Sequence, residues 1–147
     1  MAGYAEKIRV LIVDDNATNR EILAAQLRAW GMIPNEAPDG AAALQKLEQS
    51  VGQGEPYRLV ILDMQMPEMD GLAVGAAIRR DARFKTLPLI MITAHADHEA
   101  REKAMAAGAR AFIQKPFEAG TLLSAIRAAL NPGDTAGMSD NTMTEPT

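Results

Sequence analysis

Apolar residues in this chain form short unbroken runs, separated by segments in which they recur every three or four positions. Residues 8–13, 59–62, 89–92 and 111–114 are predicted strands, and residues 32–37 are a weaker one. Unbroken apolar runs suit strands covered on both faces, as in a parallel sheet. Pro34 cannot donate to a ladder, so the second strand is expected at an edge. The intervening segments read as helices. Leu23, Leu27 and Trp30 share one face of the first, and Gly31 stops it. The second is expected to be capped by Asp39 and striped by Leu44, Leu47 and Val51. The third opens at Asp70 and carries Val74 and Ile78. Residues 97–108 form an alanine-rich fourth, and Leu123, Ile126 and Leu130 stripe the fifth. Residues 48–57, "EQSVGQGEPY", read as a surface loop.

Five strand–helix units imply an α/β fold with a parallel sheet and helices on both faces. Right-handed crossovers bring every strand's C-terminal end to one edge, where such folds bind ligands. At those ends stand Asp14 and Asp15, then Asp63, Thr93 and Lys115. Buried strands aimed at three carboxylates would be poor design unless something offsets the repulsion. A hard divalent cation does so. Mg²⁺ fits, because it takes oxygen ligands and accepts phosphate oxygens. Lys115 adds positive charge. A carboxylate can act as a nucleophile toward phosphorus, and the remaining work is positioning and charge neutralisation. The set is therefore suited to phosphoryl transfer. Mg²⁺ and Lys115 would neutralise phosphoryl oxygens, with the Thr93 hydroxyl donating to one of them.

Composition narrows the classes. The 147 residues suffice for one domain with a core. With no cysteine, disulfides and thiolate metal sites are excluded. A net charge of −4 argues against a nucleic-acid surface. The start "MAGYAEKIR" lacks the apolar core of a signal peptide, and no apolar run is long enough to span a bilayer. A cytoplasmic domain is expected. The polar segment 132–147 is expected to be disordered.

The motifs "LIVDDN", "LVILDMQMPEMDG", "IMITAHA" and "AFIQKPF", in this order and spacing, resemble the receiver domains of two-component response regulators. The resemblance covers about residues 6–131, leaving residues 1–5 as an extension. It implies a five-stranded, flavodoxin-like sheet of order 2-1-3-4-5. It implies that Asp63 accepts the phosphoryl group and that Asp14 and Asp15 organise Mg²⁺, with a backbone carbonyl from Gln65. Thr93 matches the switch hydroxyl, Ala94 its small neighbour, Lys115 the phosphate-binding lysine and Phe112 the switch aromatic. Pro116 is a candidate for a cis peptide bond. In "PEMDG", Pro67 shapes a loop, Asp70 caps a helix and Gly71 permits close approach. "DDNATNR" resembles receivers of hybrid histidine kinases. The implied partners are a histidine kinase or a histidine phosphotransfer protein upstream and an unidentified protein downstream. The implied docking helix is the first, through Ala17, Ile22 and Ala25. The readout face is the fourth helix, fifth strand and fifth helix. A monomer or weak homodimer is expected.

Two other readings use overlapping residues. A haloacid-dehalogenase-type phosphatase also uses an Asp nucleophile, Mg²⁺, a hydroxyl and a lysine. It needs a second acid two residues after the nucleophile, where this chain has Gln65. A pseudo-receiver scaffold would lack the acidic pair or the acceptor, and here all are present. Phosphoryl lifetime is where this chain is individual. The resemblance puts Gln65 and His95 beside the path of the hydrolytic water. Imidazole changes charge near neutral pH. The decay rate of the Asp63 phosphate is therefore expected to change in His95→Ala, more at pH 6 than at pH 8 if the imidazolium form acts, and to fall in Gln65→Ala if its amide positions the water. Decay curves superimposable on wild type would contradict both roles.

Overall fold

The computed structural model describes residues 8–64, 71–94 and 97–130. Five strands, β1 (Arg9–Val13), β2 (Ile33–Ala37), β3 (Leu59–Asp63), β4 (Leu89–Thr93) and β5 (Ala111–Gln114), alternate with five helices. The helices are α1 (Ala17–Ala29), α2 (Gly40–Gly52), α3 (Gly71–Arg80), α4 (His98–Ala106) and α5 (Ala119–Leu130). A short 3₁₀ turn, Ala82–Phe84, precedes β4. The strands form one parallel sheet in the order β2-β1-β3-β4-β5. This is the expected flavodoxin-like arrangement, with Pro34 on an edge strand.

Because side chains alternate along a strand, the apolar runs supply two cores. Leu11, Val13, Val60, Leu62, Leu89 and Met91 face α2, α3 and α4. Val10, Ile12, Leu59, Ile61, Ile90 and Ile92 face α1 and α5, meeting Leu23, Leu27, Leu122 and Ile126. The register keeps the faces aligned: Leu11 stands opposite Val60, and Val13 opposite Leu62. β1, β3 and β4 are covered on both sides, which is why they read as unbroken apolar runs.

Local signals mark the helix ends. Asn16 caps α1, its side chain accepting from the Asn19 amide, and Asp39 caps α2 by accepting from Ala42. Gly31 follows α1 at a φ of 83°, a left-handed conformation that glycine adopts at little cost.

Three expectations need correction. The presumed loop 48–57 is helical as far as Gly52. Ser50 can be buried there because its hydroxyl donates to the Leu47 carbonyl at 2.7 Å. The α2 stripe accordingly runs through Ala43, Leu47 and Ser50, leaving Val51 exposed. In α5 the fully buried positions are Leu122, Ile126 and Ala129, while Leu123 and Leu130 are half-buried. "LLSAIRAAL" is apolar on more than one face, so packing against the sheet chose the rotation. The extension 1–5, the tail 132–147 and the positions Gln65, Pro67, Asp70 and His95 lie outside the described residues.

Candidate functional site

The site is built by the last hydrogen bonds of the sheet. The Asp14 amide donates to Ala37 O at 3.2 Å, the Met64 amide to Ile92 O at 2.9 Å, and the Lys115 amide to Thr93 O at 2.8 Å. Each bond continues the ladder just past a strand, so Asp14, Asp63, Thr93 and Lys115 share one edge at fixed register. Asp14 and Asp63 are only 3% and 5% exposed, and Thr93 is fully buried. Asp15 is exposed.

Lys115 lies between the buried carboxylates. Its Nζ is 3.8 Å from Asp14 Oδ2 and 3.8 Å from Asp63 Oδ2. These distances are too long for direct hydrogen bonds. The ammonium acts here as a shared counter-charge, and with 30% of its side chain exposed it is partly solvated. Asp14 has a second neighbour: the Asn16 amide donates to its Oδ1 at 2.9 Å. The turn that caps α1 thus also orients an acidic side chain.

Asp14, Asp15 and Asp63 each offer one oxygen, and the three oxygens lie within 4.8 Å of one another. In an octahedron with bonds of about 2.1 Å, ligand oxygens stand about 3.0 to 4.2 Å apart. Three carboxylate oxygens gathered on this scale, one of them on an exposed side chain, are a donor set that suits a hard divalent cation.

Backbone fit shapes the end of β3. A Cβ on Gly71 would stand 2.5 Å from the Asp63 carbonyl oxygen and 2.9 Å from the Met64 Cα. Only glycine lets α3 begin this close to β3, with its amide donating to Met64 O at 3.3 Å. The Lys115–Pro116 peptide bond is cis, as expected.

A cavity of about 290 Å³ opens beside the carboxylates, walled by Ile22, Leu23, Ile61, Ile92 and Phe117. Ile22 is 63% exposed, an unusual degree for isoleucine on a helix next to a polar site. At the β5 edge of the sheet, half-buried Phe112 lines a second cavity of about 540 Å³ with Asp97, His98, Arg101 and Thr121, and Phe117 borders both cavities.

The family model of the response regulator receiver domain matches residues 10–127. The chain belongs to the response regulator receiver domain family. Receiver domains are signalling modules of two-component systems, not conventional enzymes. The fold resembles that of the chemotaxis protein CheY4 of Vibrio cholerae, with 31% identity and a TM-score of 0.76 over 84% of this chain and 98% of that one. A putative response regulator from Chloroflexus aurantiacus is 32% identical, with a TM-score of 0.77 over 84% of this chain and 97% of that one. The osmosensing histidine protein kinase SLN1 of Saccharomyces cerevisiae is 34% identical over 112 residues, 76% of this chain and 9% of that protein. The probable transcriptional regulator ycf27 of Porphyridium aerugineum is 35% identical over 136 residues, 92% of this chain and 53% of that protein. This receiver therefore spans about half or less of the length of these two curated relatives.

Of the residues singled out from the sequence, the structure brings Asp14, Asp15, Asp63 and Lys115 together, with Thr93 at the same edge. Sequence reasoning missed Asn16 and Arg20, although the Asn16 cap was visible as an Asn just before a helix. The geometry also makes Lys115 a cationic offset to two buried charges. Lys115→Ala is expected to lower unfolding free energy at neutral pH by roughly 1–2 kcal/mol, less than for a fully buried pair because the ammonium is partly solvated. Asp63→Asn is expected to raise it, since the repulsion falls. Denaturant melts of the three proteins check both signs, and a Lys115→Ala protein as stable as wild type would contradict the counter-charge role.

Proposed function

We propose that this receiver is a phosphoryl-operated switch in which Asp63 takes a phosphoryl group from a phosphohistidine. One observation carries the assignment: Lys115 Nζ is equidistant from two buried carboxylates at the carboxyl edge of the sheet. Asp63 is the one on the central strand β3, and both carboxylate residues line the cavity. In the transfer, the bond between phosphorus and the donor's imidazole nitrogen breaks with its electron pair staying on nitrogen. A bond from an Asp63 carboxylate oxygen to phosphorus forms. Hydrolysis reverses the state: water attacks phosphorus, inorganic phosphate leaves and the carboxylate is restored.

Asp14, Asp15 and Asp63 would hold Mg²⁺, with the Gln65 carbonyl completing the protein ligands by family resemblance. Bound there, the ion supplies neutralisation of phosphoryl charge. Lys115 supplies the matching positive charge from the β5 side. The Thr93 hydroxyl, at the end of the neighbouring strand, is placed to donate to a phosphoryl oxygen, and small Ala94 leaves the approach open.

The donor's docking face is the exposed side of α1, where Ala17, Ile22 and Ala25 are all solvent-exposed. An imidazole approaching Asp63 would pass the apolar walls of the adjoining cavity. That chemistry fits a histidine kinase or histidine phosphotransfer protein. Output follows from Phe112, which is half-buried between the core and the second cavity. Movement of Thr93 toward the phosphoryl group frees space for this ring to turn inward, changing the α4–β5–α5 face read by a downstream protein. The domain extends over residues 6–131 and works in the cytoplasm. Among the described residues no helix is long and apolar enough to cross a membrane.

With acetyl phosphate and Mg²⁺, intact-mass spectra should show a single added phosphoryl group on the wild-type chain and none on Asp63→Asn, because an amide is a far weaker nucleophile than a carboxylate. Undiminished labelling of the Asn variant would rule out Asp63 as the acceptor. Turnover of small phosphate esters without a lasting adduct would instead favour the phosphatase reading.

A further inference from the structure

Arg20 is the fourth residue of α1, near the positive end of the helix dipole, where a cation is disfavoured. Two acceptors hold it there. Its Nη1 donates to the main-chain carbonyl of Asp14 at 2.6 Å, and its Nε donates to Glu36 Oε1 at 3.1 Å. The side chain is 16% exposed, so these contacts replace most of its hydration. Glu36 lies on β2 opposite Ile12 of β1. Arg20 thus joins α1, β2 and the turn that leaves β1.

The Asp14 carbonyl belongs to the same planar peptide unit as the Asp15 amide. Holding its oxygen constrains ψ of Asp14 and φ of Asp15 together. Asp14 has further anchors, through its amide to Ala37 O and through Oδ1 from Asn16. Asp15 is exposed, so the direction of its carboxylate depends on that peptide. We propose that Arg20, braced by Glu36, is a positioning residue: it fixes the Asp14–Asp15 peptide, keeps the Asp15 carboxylate within reach of Asp14 and Asp63, and thereby sets the affinity for Mg²⁺. The inference rests on the metal-binding reading above.

The sign of the effect separates positioning from charge. As a bare cation Arg20 repels Mg²⁺, and its removal would tighten binding. As a brace, its removal weakens binding. The test is Mg²⁺ titration by calorimetry of the full chain as wild type, Arg20→Ala, Arg20→Gln and Arg20→Lys, with backbone ¹⁵N relaxation at Asp15 in the metal-free proteins. Arg20→Ala is expected to weaken Mg²⁺ by about tenfold, the scale seen when groups that orient metal ligands are lost. Its Asp15 amide is expected to become more mobile before any metal is added. Arg20→Gln, neutral but still a donor, is expected to fall between Ala and wild type. Arg20→Lys keeps the charge without the planar fork, so its rescue is partial. Affinities equal to or tighter than wild type in both Arg20→Ala and Arg20→Gln would overturn the inference and leave the metal reading standing. Wild-type protein with no saturable Mg²⁺ binding would overturn the metal reading itself, and the inference with it.

Discussion

Two carboxylates, Asp14 and Asp63, are held almost out of water at neighbouring strand ends, and the ammonium of Lys115 is shared between them at 3.8 Å. Like charges so placed repel strongly in a partly desolvated setting. The sheet imposes the arrangement, because parallel strands with right-handed crossovers bring their carboxyl ends to one edge. The two-sided core keeps β1 and β3 from sliding to relieve it. The edge is thus a standing demand for positive charge. Lys115 meets part of it, and a divalent cation can meet the rest.

This tension explains why a signalling module is legible here. A site with surplus negative charge, one partly solvated ammonium and a buried hydroxyl changes its electrostatics when a phosphoryl group is added, because the single charge of the Asp63 carboxylate gives way to roughly −1.5 to −2 spread over phosphoryl oxygens. Thr93 and Lys115 sit on β4 and the end of β5, the strands that lead to the Phe112 face. A charge change at the edge therefore acts on elements that also carry the second cavity. The apolar cavity beside α1 and the cavity beside Phe112 meet at Pro116 and Phe117, so both border the segment that follows Lys115.

The parallel sheet and the convergence of Asp14, Asp63, Thr93 and Lys115 were readable in the sequence because strand ends follow from apolar runs whose limits are sharp, whereas the strand order came from the family resemblance alone. "LVILD" can end only where the carboxylate begins. The helices were less legible. Val51 and Ser50 traded places because a buried serine bonded to its own helix leaves no trace in an apolar pattern. In α5 the apolar residues cover too wide an arc for periodicity to select a rotation. Arg20 was overlooked for a different reason. Its role depends on a main-chain carbonyl and on Glu36, sixteen residues away, and no local pattern encodes either. A cation at the wrong end of a helix dipole was the one signal available.

Proposed to hold Mg²⁺, the acidic edge should behave as a cation-dependent site rather than a fortuitous cluster of carboxylates. Titrating Mg²⁺ into isotopically labelled protein and mapping amide shifts tests it most directly. Saturable binding, with the largest shifts at Asp14, Asp15 and Asp63 and a smaller response at Lys115, is the predicted result. Shifts that fail to saturate, or that are largest away from these strand ends, would contradict it.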